Sequence, residues 1–356
     1  MAIRETVSNP HSAWMDTSDK WPNIVISSRV RVARNIAGIP FPHLLDQDRS
    51  EEVIHAVRLA LGNEEAKDTL GDLELSMLGE LSQVERQILV EKHLISPEFI
   101  NNHQSKAVVL RDDEVISIMV NEEDHLRLQC LLPGLQLKEA WEIINRVDDA
   151  LEKTLDYAFS EKLGYLTACP TNVGTGLRAS IMLHLPGLKI TKQLGVVLNA
   201  INKLGLTVRG LYGEGTEAQG DLFQISNQIT LGQTEEEIIS NLLASTKHIL
   251  TQEQAARNAL YQQRRYVIED RVYRAFGTLR YARLLTSEDA MRLISDLRLG
   301  LDLNIISGIK PSTLNELMIK IRPAFITKLS GKELPPQQRY AFRAALVRRE
   351  FEKESQ

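Results

Sequence analysis

Residues 165–184 read YLTACPTNVGTGLRASIMLH. The stretch begins with a β-rich run, turns sharply at Cys169-Pro170, passes Gly174 and Gly176, and places Arg178 at the head of a second apolar run. A strand, a glycine-containing turn and a strand bring a guanidinium and one of only two cysteines close together in sequence. That combination reads as half of a phosphate site beside a substrate-positioning thiol, so the other half must come from elsewhere in the chain.

The chain has 356 residues, enough for two domains with a sizeable core. With 43% hydrophobic and 25% charged residues it reads as a globular protein rather than a disordered or membrane-embedded one. No apolar run has bilayer-spanning length, and the start MAIRETVSNPHSAW lacks a signal-peptide pattern, so a cytoplasmic protein without membrane contact is expected. Cys130 and Cys169 form neither a disulfide framework nor a zinc spacing. A net charge of −5 disfavours a general nucleic-acid binder.

Outward from the opening stretch, IVISSRVRVAR at 24–34 alternates as a strand, with Ile26, Ser28, Val30 and Val32 on one face and Val25, Ser27, Arg29 and Arg31 on the other. A solvated edge and an anion-binding face both fit that pattern. Helical spacing is read at 47–61, 81–94, 137–159 and 193–203, which makes His55, His93 and His103 surface or core histidines. A hairpin turning at Arg111–Glu114 feeds NEEDHLRL at 121–128, where Glu122, Glu123, Asp124, His125 and Arg127 crowd the end of an apolar strand. A solvated loop, a catalytic cluster and a metal site all remain open there. Residues 206–232 read as strand, glycine-rich loop and strand, with a candidate lid at 213–221. Thr234 and Glu237 form a capping box, beyond which the signals are helical. The expected fold class is α+β: a largely antiparallel sheet flanked by helices over 1–250, then an all-α region over 251–356.

Arg29, Arg31, Arg127, Arg178 and Arg209 each sit on a strand, at a strand end or at a glycine-containing turn. Fixed guanidinium forks suit phosphate oxygens. No P-loop, Rossmann fingerprint or protein-kinase motif competes for that role. SSRVR, VNEEDHLR, CPTNVGTGLR and RGLYGEGTE followed by QISN occur in the order found in the phosphagen (creatine and arginine) kinase superfamily, which residues 22–232 resemble. The family's small helical domain before SSRVR is absent here, and a helical region is appended instead. That arrangement, with LVEKHLISP and TEEEII, is similar to the bacterial protein-arginine kinases.

The resemblance implies ATP and Mg2+, with Ser28, Arg29, Arg31, Arg127, Arg178 and Arg209 at the nucleotide. It also implies Glu123 and Glu214 as the carboxylates that orient and deprotonate a guanidinium, Glu122 as an adjacent candidate, and Cys169 as a positioning thiol. Met182 stands where arginine kinases have a histidine near adenine, and a thioether can still pack on a base. Nine arginines fall within 257–298, which fits either solvated helix faces or a homodimerisation region with a phosphoarginine pocket at Arg339. The dipeptide Arg339-Tyr340 lacks the family's carboxylate partner. The implied function is phosphorylation of protein arginines, with an activator protein and a Clp-type protease as partners and stress repressors among the targets. A kinase of free guanidino compounds and a non-catalytic, nucleic-acid-binding adaptor are the alternatives.

Overall fold

A computed structural model describes residues 2–17, 20–63, 70–210 and 219–354. Its strands are β1 (Val25–Arg34), β2 (Leu73–Met77), β3 (Ala107–Arg111), β4 (Ile116–Val120), β5 (Leu126–Pro133), the short pair β6 (Phe159–Ser160) and β7 (Gly164–Tyr165), β8 (Leu177–His184), β9 (Leu206–Gly210) and β10 (Leu222–Asn227). Eight of them form one sheet in the order β2-β3-β4-β5-β1-β8-β10-β9, with neighbours antiparallel throughout. The helices are α1 (Ala2–Thr6), α2 (Gln47–Gly62), α3 (Gln83–Glu91), α4 (Leu137–Glu152), α5 (Pro186–Ile190), α6 (Leu194–Asn202), α7 (Glu235–Tyr281), α8 (Ser287–Asp302), α9 (Pro311–Lys320), α10 (Pro323–Ser330) and α11 (Pro336–Glu354). The α+β expectation holds.

Each face of the sheet has its own cover. Val30, Val32, Leu128, Ala179 and Ile181 pack with Val53 and Val57 of α2, Ile144 and Val147 of α4, and Leu242 of α7. Ile26, Met119, Leu131 and Met182 belong to a second apolar cluster with Trp14, Ile88 and Leu89 of α3, Leu279, Met291 and Leu297 of α7 and α8, and Phe325 of α10. The helical C-terminal region therefore roofs the second face of the same sheet. Strict alternation put Ile26 beside Val30. A register shift between Val25 and Ser27 corrects this, sending Val25 to the first cluster and Ile26 to the second.

Two helix boundaries differ from the periodic pattern. α4 stops at Glu152 instead of reaching Phe159, because the chain beyond it pairs with the end of β1: Ala37 N donates to Asp156 O at 2.8 Å and Ala158 N to Asn35 O at 2.7 Å. α3 starts at a capping box on Ser82 and ends where His93 takes a left-handed φ of 63°. α7 opens at the expected Thr234–Glu237 box and runs through residue 250 to Tyr281, with non-helical geometry at Arg264.

Buried polar contacts weld the C-terminal helices to α3 and the N-terminal segment. Glu91, 5% exposed, accepts from Ala324 N (3.0 Å) and Phe325 N (3.2 Å) at the start of α10. Asn315 Nδ2 donates to Met15 O at 2.9 Å. Desolvation pushes the Glu91 carboxyl up to about 7 despite those amides and the nearby Arg322 and Arg343. For an acid raised in the fold, the stabilisation is complete below the unfolded value and is lost as pH rises through the folded one. The urea midpoint should therefore fall between the ordinary carboxylate range and about pH 7. Glu91→Gln, neutral at every pH, should flatten that fall relative to the unsubstituted protein; an unchanged slope would contradict this account of Glu91.

Candidate active site

The strand register places all five arginines on one face. Arg31 lies opposite Gln129 of β5 and Arg178 of β8, and Arg29 opposite Leu131 and Ser180. Arg127 is paired with Met119, and Arg209 with Gln224, itself opposite Met182. Side chains at alternate positions share a face, so these pairings converge on a cavity of about 220 Å3 lined by Arg29, Arg31, Arg127, Arg178 and Arg209, with His93, Ser96 and Gln224. Arg29 Nη2 donates to Gln224 Oε1 at 2.8 Å, and Arg178 Nη2 reaches Ser226 Oγ at 3.5 Å. Burial, then Arg127 and Arg178, lower Arg29 to about 10; burial, then Arg29, Arg127 and Arg178, lower Arg31 well below its usual value. Arg31 Nε is buried without a hydrogen-bond partner. Such a concentration of cation is the electrostatic complement of a polyphosphate.

Ser28 does not join them. It points to the opposite side, where its Oγ donates to Gly134 O (2.7 Å) and accepts from Gln136 N (3.0 Å), closing the turn into α4. That correction follows from the alternation of β1: the residue before an inward arginine faces away.

The 122–125 run divides its labour. Glu122 accepts from Arg127 Nη1 and Ser96 Oγ, each at 2.5 Å; burial pushes it up, but Arg127 and the hydrogen bonds hold it below the usual carboxylate range. Glu123 takes no part in that ion pair. It is raised, by desolvation first and by the Asp124 and Glu122 charges, against the opposing pull of Arg127 and Arg178. Both glutamates line a second, larger cleft of about 790 Å3 together with Asp46, Asn102, Lys106 and Ala168. Asp124 accepts from Asn35 Nδ2 (2.6 Å) and Ala168 N (2.7 Å). His125 Nδ1 accepts from Ile36 N, which leaves Nε2 to donate to Pro40 O at 2.8 Å; burial lowers its pKa and keeps the ring neutral. A solvated loop does not describe Glu122, Asp124 and His125, which are tied into the fold, while Glu123 is exposed; among the described residues no group of three or more His, Cys, Asp or Glu is placed to hold an ion.

The Cys169 loop is held from below. Cys169 is half-buried, its Sγ 3.0 Å from Thr171 Oγ1, and the preceding Ala168 borders the glutamate cleft. Thr230 Oγ1 lies 2.9 Å from Thr171 O and 2.7 Å from Val173 O. Buried Arg34 donates from Nε and Nη2 to Asp148 Oδ2 (3.0 and 2.5 Å) and from Nη1 to Ala33 O and Thr175 O, while its guanidinium stacks 3.5 Å from the Tyr165 ring centroid. A Cβ on Gly176, at φ 67°, would stand 2.6 Å from both Ala33 O and Arg34 Nη1, and one on Gly174 would stand 2.7 Å from Thr230 O. The two glycines serve this close packing and so are corrected from phosphate-loop residues to anchors of the thiol loop.

Other expectations land elsewhere. Glu214 and most of the candidate lid at 213–221 lie outside the described residues. Met182 packs in the second apolar cluster, and Met119 supplies the thioether in the arginine cavity. Buried His184 bonds Ser295 Oγ at 2.8 Å and sits 3.2 Å from Arg257 Nη2, inside the core. Arg339 is half-buried on α11 beside the buried Arg343, which donates to Ile321 O and Leu285 O. Within 257–298, Arg257 and Arg298 are buried, whereas Arg265 and Arg274 are exposed and paired with Glu269 and Asp270. His93, read from the sequence as a surface or core histidine, lines the cavity; burial, then Arg29 and Arg322, push it down to about 3, so the ring is neutral. Its one sequence signal is the end of the α3 pattern.

Comparisons with known proteins agree with this geometry. The family model for the ATP:guanido phosphotransferase C-terminal catalytic domain matches residues 52–256, and that for the protein-arginine kinase McsB C-terminal domain matches 265–356. The chain is 74% identical over 351 residues to the protein-arginine kinase of Pelotomaculum thermopropionicum, covering 99% of each chain. It is 58% identical over 348 residues to that of Desulforamulus reducens, covering 98% of each. Its fold is similar to that of lombricine kinase, at 25% identity and a TM-score of 0.58, covering 72% of this chain and 76% of that one. The duplicated taurocyamine kinase of Schistosoma mansoni matches at 26% identity and a TM-score of 0.60, over 70% of this chain and 35% of that longer one.

Two arginines directly opposite on neighbouring strands repel. Arg31→Met should therefore raise the melting temperature of the ligand-free protein by roughly 1–3 °C while weakening nucleotide binding. Calorimetric scans would detect this, and a lower melting point would show that the arginine cluster is not under electrostatic strain.

Proposed function

Because the chain belongs to the protein-arginine kinases within the ATP:guanido phosphotransferases, we propose that the five-arginine cavity holds the ATP phosphates while the neighbouring cleft at Glu123 receives the arginine side chain of a protein. The observation that carries this assignment is the juxtaposition of a carboxylate-poor cationic face with Glu123, a glutamate outside the local ion pair. Mg2+ would accompany ATP and supply charge stabilisation there, while the five guanidiniums would hold the phosphates. His93, with Val90, Ile95 and Met119, offers a neutral surface for the base.

The acceptor guanidinium carries no free lone pair at neutral pH. Glu123 hydrogen-bonds it and takes one N–H proton as that nitrogen attacks the γ-phosphorus. The N–P bond forms, the bond from the γ-phosphorus to the β,γ-bridging oxygen breaks, and ADP departs with the electron pair. The raised pKa of Glu123 brings its basicity closer to the working pH. Glu122 serves as the fixed counter-ion of Arg127. Cys169 positions the substrate guanidinium, and Glu214 has the role of the second carboxylate that the family resemblance implies. Catalysis here is positioning and charge stabilisation, as the loose transition state of phosphoryl transfer requires.

In the same reading residues 1–250 form the catalytic part, and 251–356 support homodimerisation and phosphoarginine recognition at Arg339. The protein works in the cytoplasm on stress repressors and on proteins destined for a Clp-type protease, with an activator protein. No described helix is long and apolar enough to cross a membrane.

Incubation with γ-labelled ATP and an arginine-containing protein substrate should yield acid-labile label on arginine. Glu123→Gln should reduce turnover by roughly 10²–10⁴, whereas Glu122→Gln should act mainly on the KM for ATP through Arg127. Acid-stable label, or efficient competition by free arginine, would sink this assignment.

A further inference from the structure

Residues 2–17 do not themselves line the nucleotide cavity, yet they pack behind its wall, against Lys92 and the cavity residue His93. Lys92 is fully buried, and its Nζ lies 3.0 Å from Thr6 O, Asn9 O and His11 O and 2.5 Å from Glu114 Oε1. Glu114 in turn accepts from Ser12 Oγ. This knot orders the segment up to Trp14, which is 1% exposed and whose indole Nε1 donates to Lys92 O at 3.2 Å.

The residue after Lys92 is His93, whose ring centroid is 5.7 Å from that of Trp14, tilted by 59°. A left-handed φ of 63° is a costly conformation for a histidine and persists where the surroundings enforce it. Here Gln129 Nε2 fixes the His93 carbonyl at 2.9 Å, and Trp14 backs the ring. His93 and Val90 both form part of the cavity lining.

We propose that Trp14 is a positioning residue for nucleotide binding: it holds the His93 imidazole against the base, so that the segment Thr6–Met15 sets affinity for the nucleoside without touching the phosphates. The inference rests on the assignment of the cavity to ATP.

The test compares binding of ADP and of inorganic tripolyphosphate, by calorimetry, to the full chain and to its Trp14→Phe, His93→Asn and double variants. Asparagine is chosen because it tolerates the left-handed backbone. Trp14→Phe should weaken ADP about three- to tenfold, the range that a tilted aromatic contact is worth. It should leave tripolyphosphate unchanged, and the double variant should bind ADP no more weakly than His93→Asn alone. Unchanged ADP affinity, equal weakening of both ligands, or additive losses would overturn the proposal. If Trp14→Phe does not fold, a Trp21→Phe/Trp141→Phe protein retains Trp14 as its sole indole. Its emission should shift with ADP and not with tripolyphosphate, and silence toward ADP would overturn the proposal as well. An unsubstituted protein that binds neither ligand would instead remove the cavity assignment, and this inference with it.

Discussion

Five guanidiniums on one face of a sheet is an arrangement that folding resists, and the architecture around it follows from making it tolerable. Strand alternation brings Arg29 and Arg31 out on the same side of β1, and the antiparallel register sets Arg178 opposite Arg31. Their mutual repulsion is relieved by the Glu122 carboxylate at Arg127 and by neutral acceptors at Gln224 and Ser226. Full neutralisation by carboxylates would stabilise the fold and close the cavity to a polyphosphate. On the proposed assignment, the residual cation is the preorganised part of the site, already in place before charge develops in the transition state.

Rigidity beside that cluster comes from groups outside the lining of either cavity. Asp124 and His125 tie β5 to the turn after β1 and to the base of the thiol loop, while Arg34, Asp148 and Tyr165 pin the same loop from beneath. Removing Asp148 would leave a buried guanidinium uncompensated, a change that typically costs about 3–5 kcal/mol. Glu122 and Glu123 show how adjacent identical residues acquire different chemistry: one is lowered by its partner, the other raised by its surroundings.

The sequence carried a good deal of this. Alternation gave the arginine face of β1, the capping box located the start of α7, and the motif order pointed to the reaction class. What escaped was whatever depends on two distant segments meeting. Ser28 matched a motif yet faces away from the cavity, because a motif match does not fix a side chain's direction. Gly174 and Gly176 looked like a phosphate loop until Thr230 and Arg34, at remote positions, were seen pressed against them. Trp14 and His93 are separated by nearly eighty residues, and no local pattern announces their contact. The strand at Leu73–Met77 was missed for a similar reason: its identity comes from pairing with β3.

The roof formed by α8, α9 and α10 over the arginine face, bonded through Glu91 and Asn315, has a consequence for modularity. Although two family models meet along α7, the catalytic sheet has no clean plane of separation. Cut free of its C-terminal helices, it would present a greasy surface around Met119, Leu131 and Met182 next to a dense patch of guanidinium. Such a face adheres to nucleic acids and to unfolded chains alike. Joining the two parts in one polypeptide keeps that adhesiveness sheathed, so the cationic face is reached through a cavity of nucleotide scale rather than offered to every polyanion in solution.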